Sequence, residues 1–231
     1  MSLRIPEKSW HALQAMLDGK SPSRQALREL QDLGVLDNLQ LAPATRQLLR
    51  GFADATYAVR IFGNDGRALR RATLWIAPDR HSLLEQSDEL VSLSSLEPGM
   101  LPPAVIDLLG LGPRLVPSLT EPQRIPVNYV SELLDPSGAT KGEPWADLAA
   151  KLRPMWPEVF ESIVNGRWQS WLIQSYDDVK HDPPRVRETI YLLDTPKGLL
   201  GIDLEDDAAV LTPITTMALW RRLSYLLAPG T

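Results

Sequence analysis

Two polar stretches of the sequence combine residue types that could do chemistry. In YDDVKHDPP, His181 lies among Asp177, Asp178 and Asp182, and such a set could bind a divalent cation. Sites for hard cations usually add ordered turn glycines, and sites for softer metals add more His or Cys. Because this stretch adds neither, we interpret it as a long polar hairpin loop and expect no bound metal.

The second stretch is TIYLLDTPKGLLGID, in which Asp194 and Lys197 could face a phosphate group. A phosphate cradle needs glycines that let the backbone approach, followed by the N-terminus of a helix. Here an apolar strand pattern follows instead, so we interpret residues 194–198 as a hairpin turn. In that turn Pro196 would fix its own φ and Gly198 would take a positive φ. The sequence therefore predicts no phosphate, nucleotide or other cofactor.

Signatures of known catalytic sites are missing from the sequence. The nucleophile elbow G-x-S-x-G does not occur, and the acidic run Glu205-Asp206-Asp207 is typical of a solvated turn between strands. The glycines of LLGLGPR follow a helical pattern, whereas a dinucleotide loop follows a strand. The chain has no cysteine, which excludes disulfides, thiolate metal sites and a cysteine nucleophile. We predict no catalytic residue, no cofactor and no enzymatic activity.

Composition narrows the class of partner. Lys and Arg number 24 against 29 Asp and Glu, so a net charge of −5 gives nucleic acid no general attraction. The N-terminal stretch lacks a continuous apolar signal segment, and no run approaches the roughly 18 apolar residues of a membrane span. We therefore expect a soluble, cytoplasmic protein that binds neither nucleic acid nor membrane.

Helix and strand patterns follow the same order in the two halves of the chain. In the first half, two N-terminal helices, with Ser21-Pro22 expected to open the second, and a helix over 44–52 precede strand patterns in TYAVRIFGN, RATLWIAP, HSLLEQ and ELVSLSS. The helix PPAVIDLLGLG ends that half. The second half gives helices in EPWADLAAKLRPMWPEVFESIV, strands in RWQSWLIQSYDD, RVRETIYLLD, GLLGIDL and AAVLTP, and the helix TTMALWRRLSYLL.

Individual residues recur at matching places in the two halves. Arg4-Ile5-Pro6 returns as Arg124-Ile125-Pro126, and Leu83-Leu84 returns as Leu199-Leu200. Together with the common element order, these matches predict an internal duplication.

The predicted fold is a single α+β domain over residues 1–231, with a central, mostly antiparallel sheet flanked by helices. Its internal repeats cover 4–110 and 124–228 and have a quasi-two-fold relation. A Pro-rich crossing, 111–126, joins them.

Seven tryptophans accompany only three phenylalanines, so most of the tryptophans should be core anchors. One or two on an exposed face would instead mark a partner surface, because aromatic residues dominate interface hot spots.

Two segments of the sequence resemble the EspG proteins of type VII (ESX) secretion loci. They are GMLPPAVIDLLGLGPRLVPSLTEPQRIPVNYVSEL and RETIYLLDTPKGLLGIDLEDDAAVLTPITTMALWRRLSYLL. The resemblance implies a cytosolic, non-enzymatic chaperone or adaptor for a secreted helical client, PE–PPE-like or WXG100-like. Two alternatives stay open: a homo-oligomeric interaction domain of another pathway, and a hydrolase with a dispersed active site. A homodimer also stays open.

The resemblance also implies where a client would bind, on the sheet face and on a loop between strands of the first repeat. The matching segment here is PDRHSLLEQ, residues 78–86. Arg80 and His81 supply hydrogen-bond donors beside Leu83 and Leu84, which suits the end of a helical client. We predict these four residues as partner-binding, with one leucine facing the core and the other facing outward.

Overall fold

The computed structural model describes residues 2–64, 68–87, 89–117, 120–131, 143–177, 179 and 184–228. The chain divides into two compact units. The first unit comprises Met1–Val59, Arg71–Leu101 and Asp177–Arg185, and the second comprises Arg60–Arg70, Pro102–Tyr176 and Val186–Thr231. The predicted boundary within 111–126 stays a prediction.

The first half of the chain forms the predicted strands and helices, except that two short helices replace the single helix predicted over 44–52. It also contains three short strands that the sequence did not predict. In order, the elements of this half are β1 (Ser2–Pro6), α1 (Glu7–Leu17), α2 (Arg24–Asp32), β2 (Leu36–Asp37), β3 (Gln40–Leu41), α3 (Pro43–Leu48), α4 (Arg50–Ala53), β4 (Tyr57–Asn64), β5 (Leu69–Ile76), β6 (His81–Ser87), β7 (Leu90–Leu96), a 3-10 turn (Pro98–Met100) and α5 (Leu101–Leu109).

The second half begins with another short strand that the patterns did not predict, β8. Its elements are β8 (Gln123–Pro126), α6 (Asn128–Ser131), α7 (Glu143–Leu152), α8 (Pro157–Val164), β9 (Gln169–Asp177), β10 (Arg185–Thr195), β11 (Gly198–Leu204), β12 (Ala208–Pro213) and α9 (Thr216–Leu227). Within the described part of the chain, no helix is both long and apolar enough to cross a membrane.

The long strands form a sheet in the order β1-β7-β6-β5-β4-β9-β10-β11-β12-β8, and a separate hairpin pairs β2 with β3. Neighbours such as β6 and β7, or β11 and β12, run antiparallel. The predicted α+β class with an antiparallel sheet is confirmed. Each half places its short Arg-Ile-Pro strand outermost, β1 or β8, which is the order that the predicted repeat requires. The duplication itself stays a prediction.

A serine caps the start of one helix, and glycines follow the ends of two helices. The side chain of Ser23 accepts a hydrogen bond from the Ala26 N–H at 3.2 Å and caps α2, so the cap lies two residues after the expected Ser21. Gly34 and Gly110 follow α2 and α5 with φ of 69° and 60°. Glycine takes this left-handed conformation without the Cβ clash that other residues meet, so it closes these helices readily.

Each unit has an apolar cluster of its own. In the first unit the cluster joins α1 and α2 to β1, β6 and β7 through residues such as Trp10, Leu30 and Leu93. In the second unit it joins α7 and α8 to β10, β11 and β12, with Trp156 as a fully buried anchor. Trp171 is also buried, so the prediction that most tryptophans are core anchors holds for these residues.

A buried ion pair fixes the coil after α5 to the end of β10. The Arg114 guanidinium donates from Nε to one carboxylate oxygen of Asp194 at 2.7 Å and from Nη2 to the other at 2.9 Å. The Asp194 side chain is only 3% exposed. The hydrogen bond to this carboxylate raises the pKa of the Arg114 guanidinium, so the arginine stays charged at neutral pH.

The turn after Asp194 is a hairpin between β10 and β11, as predicted, but its glycine has another role. Gly198 is not among the residues with positive φ. A Cβ added there would lie 2.6 Å from Cγ of Pro117 and 3.2 Å from Val159. Glycine is therefore required because the Pro-rich coil and α8 pack directly against the backbone, so the positive-φ expectation was wrong.

Arg114→Ala should lower the free energy of unfolding by about 3 kcal/mol, because it leaves the Asp194 carboxylate buried without its partner. Urea denaturation at pH 7 measures this loss. Arg167→Ala removes an exposed guanidinium nearby and should change stability by only about 0.5 kcal/mol. Equal stability of the two variants would contradict the structural role of the ion pair.

Candidate functional site

The four predicted partner-binding residues lie at the start of β6, where the chain leaves the turn after β5. The strand begins at His81, which pairs with Ile76, so only residues 77–80 form the turn. Arg80 is partly exposed on this turn. His81, Leu83 and Leu84 are 4%, 6% and 4% exposed, and a partner could reach only Arg80 without moving the strand.

The expectation that one of the two leucines faces outward was wrong. Successive side chains of a strand point to opposite faces of the sheet, and here both faces of β6 are covered. Leu84 belongs to the apolar cluster of the first unit. Leu83, on the other face, pairs with Leu74 of β5 and Ser94 of β7. An alternating pattern in the sequence cannot show that both faces are buried.

Helix α4 sits directly on the backbone of β6 beside Arg80. A Cβ added at Gly51 would lie 2.6 Å from the Ser82 nitrogen and 2.7 Å from the His81 carbonyl carbon. The Ser82 hydroxyl, itself fully buried, donates a 2.7 Å hydrogen bond to the Leu48 carbonyl. Gly51 and Ser82 together therefore fix the position of α4 against the turn that carries Arg80.

Between α4 and the turn that precedes β6 lies a pocket of about 410 Å³, which we call the polar pocket. It is lined by Arg50, Asp54, Ala77, Pro78, Asp79 and Arg80. The structure shows no ion pair for any of these four charged side chains among the residues that it describes. Four unpaired charges at one concave place can form charge-assisted hydrogen bonds with a partner.

A larger pocket adjoins the polar pocket and shares Arg50 and Asp54 with it. This aromatic pocket, about 840 Å³, is lined by Leu17, Asp18, Leu41, Arg46, Leu49, Arg50, Phe52, Ala53, Asp54, Ala55, Trp75 and Val179. The ring of Phe52 stands edge-on to that of Trp75, with centroids 4.8 Å apart, and Trp10 packs behind at 6.4 Å. Trp75 is half-buried, which makes it one of the tryptophans able to meet a partner.

The partner-binding role of Arg80 stays a prediction, and the sequence analysis did not consider the charged residues of α3 and α4 that lie close to it. Arg46, Arg50 and Asp54 recur every four residues, a spacing that places them on one face of a helical segment. Gly51 between them was the available signal, because a glycine inside a helix is costly unless another backbone approaches it.

His81 is buried in a neutral form beside the polar pocket. Neither ring nitrogen makes a hydrogen bond of good geometry with the described residues. Burial lowers the pKa of His81 below its usual 6.5, and a weaker contact with the Ala77 backbone partly opposes that effect. A neutral, buried imidazole supports the strand and gives a partner no charge to bind.

No group of three or more metal-ligating side chains occurs among the described residues. The predicted cation candidates Asp178, His181 and Asp182 lie outside those residues. The turn Asp194–Gly198 has its carboxylate occupied by Arg114, and Thr195 bonds the Gly198 carbonyl at 2.8 Å.

Comparisons with known proteins identify relatives by family and by fold. The model of the EspG family matches residues 20–224. No curated protein sequence matches the chain. One similar solved structure is the Mycobacterium tuberculosis type VII secretion system chaperone EspG5 in complex with the PE25-PPE41 dimer. It has a TM-score of 0.59 and 11% identity, covers 98% of this chain and 96% of that chain, and shows a shared fold.

Gly51→Ala should destabilise the protein by about 1–3 kcal/mol, because its Cβ would enter the space of the β6 backbone. Gly99→Ala is the matched control, since a Cβ there meets nothing within 4 Å and its φ is not positive. Thermal and urea unfolding of both variants measure the difference. A Gly51→Ala variant as stable as the control would show that α4 is not held in this position.

The unfolding free energy should fall as the pH drops below 6.5, in part because of His81. Its pKa is lower in the folded protein, so the unfolded chain binds a proton that the folded chain does not. This contribution is fully present above pH 6.5. His81→Gln should therefore reduce the slope between pH 6.5 and 5, whereas His11→Gln, at a site 62% exposed, serves as control. Identical slopes for wild type and His81→Gln would contradict this assignment.

Proposed function

Because the chain belongs to the EspG family, whose model matches residues 20–224, we propose that it is a type VII secretion chaperone. It holds a secreted helical client, PE–PPE-like or WXG100-like, in the cytoplasm until the client meets the secretion machinery. The observation that carries this proposal is the family match over most of the chain. The shared fold with EspG5, solved in complex with PE25-PPE41, supports a client of the PE–PPE type.

The polar and aromatic pockets of the first unit have the composition that such binding needs. Interfaces combine an apolar centre with a polar rim, and aromatic and arginine side chains carry much of their binding energy. Trp75 and Phe52 supply the apolar part, and Arg50 and Arg80 supply donors beside it. These features suit a role in binding, and we propose no catalytic step.

We assign the predicted partner-binding residues two different parts in this proposal. Arg80 contacts the client, because it is partly exposed and has no ion-pair partner in the described part of the chain. His81, Leu83 and Leu84 are buried and do not contact the client. They anchor the first residues of β6 and so fix the position of Arg80. Side chains held by packing present a binding group in one geometry, which lowers the entropy cost of association.

Co-expression with PE–PPE pairs encoded in the same genome tests the function. A tag on this chain should co-purify at least one pair as a stable complex of this chain with the heterodimer. If every pair forms a heterodimer and none is retained by the chain, the proposed function is wrong.

Arg80→Glu should reduce this capture at least tenfold, since charge reversal opposes whatever client group the guanidinium meets. Its thermal midpoint should stay within a few degrees of wild type, as expected for a surface substitution. Lys197→Glu, an exposed charge reversal on the β10–β11 turn, should leave capture unchanged. Unimpaired capture by Arg80→Glu would remove the turn from the client site.

A further inference from the structure

We draw no further inference here: the strongest candidate, the pocket beside the β10–β11 turn that Arg114, Arg167 and Asp194 line, carries nothing because the buried Asp194 carboxylate is already held by Arg114 and the exposed Arg167 side chain alone does not identify a ligand.

Discussion

The contact of α4 with the β6 backbone is the constraint on which the candidate site depends. At Gly51 the helix lies so close to Ser82 that a single additional carbon would collide with the strand. At the same place the buried Ser82 hydroxyl donates a hydrogen bond to the Leu48 carbonyl at the end of α3, which fixes the helical segment on the strand. Because the helix and the strand are locked together, the charges of Arg50 and Arg80 face one shared pocket, although they come from separate elements.

Strong local patterns were enough to predict most of the elements. Alternating and apolar runs located the strands from β4 to β7 and from β9 to β12, because such runs are long and rich in β-branched and aromatic residues. The sequence patterns did not predict the short strands, and the reasons are physical. β1 and β8 are edge strands of five and four residues that contain proline. The β2–β3 hairpin was missed because its turn reads Asn-Leu, without the expected glycine.

The candidate site was harder to predict than the fold, because it depends on contacts between distant parts of the chain. The family resemblance pointed to the turn that carries Arg80, but the burial of His81, Leu83 and Leu84 on both faces of β6 is a property of the packed sheet. Gly198 shows the same limit: its sequence context indicated a turn conformation, whereas the packing of Pro117 is what requires it. The family resemblance contributed the function class, which no single residue carries.

Both outer strands of the sheet are built from the tripeptide Arg-Ile-Pro, with the isoleucine buried and the arginine exposed. Proline has no N–H to offer a further strand, and an exposed charge on an edge discourages pairing with another chain. A sheet with both edges closed in this way does not readily add a strand from another chain, so the protein resists growing into larger assemblies through its sheet edges.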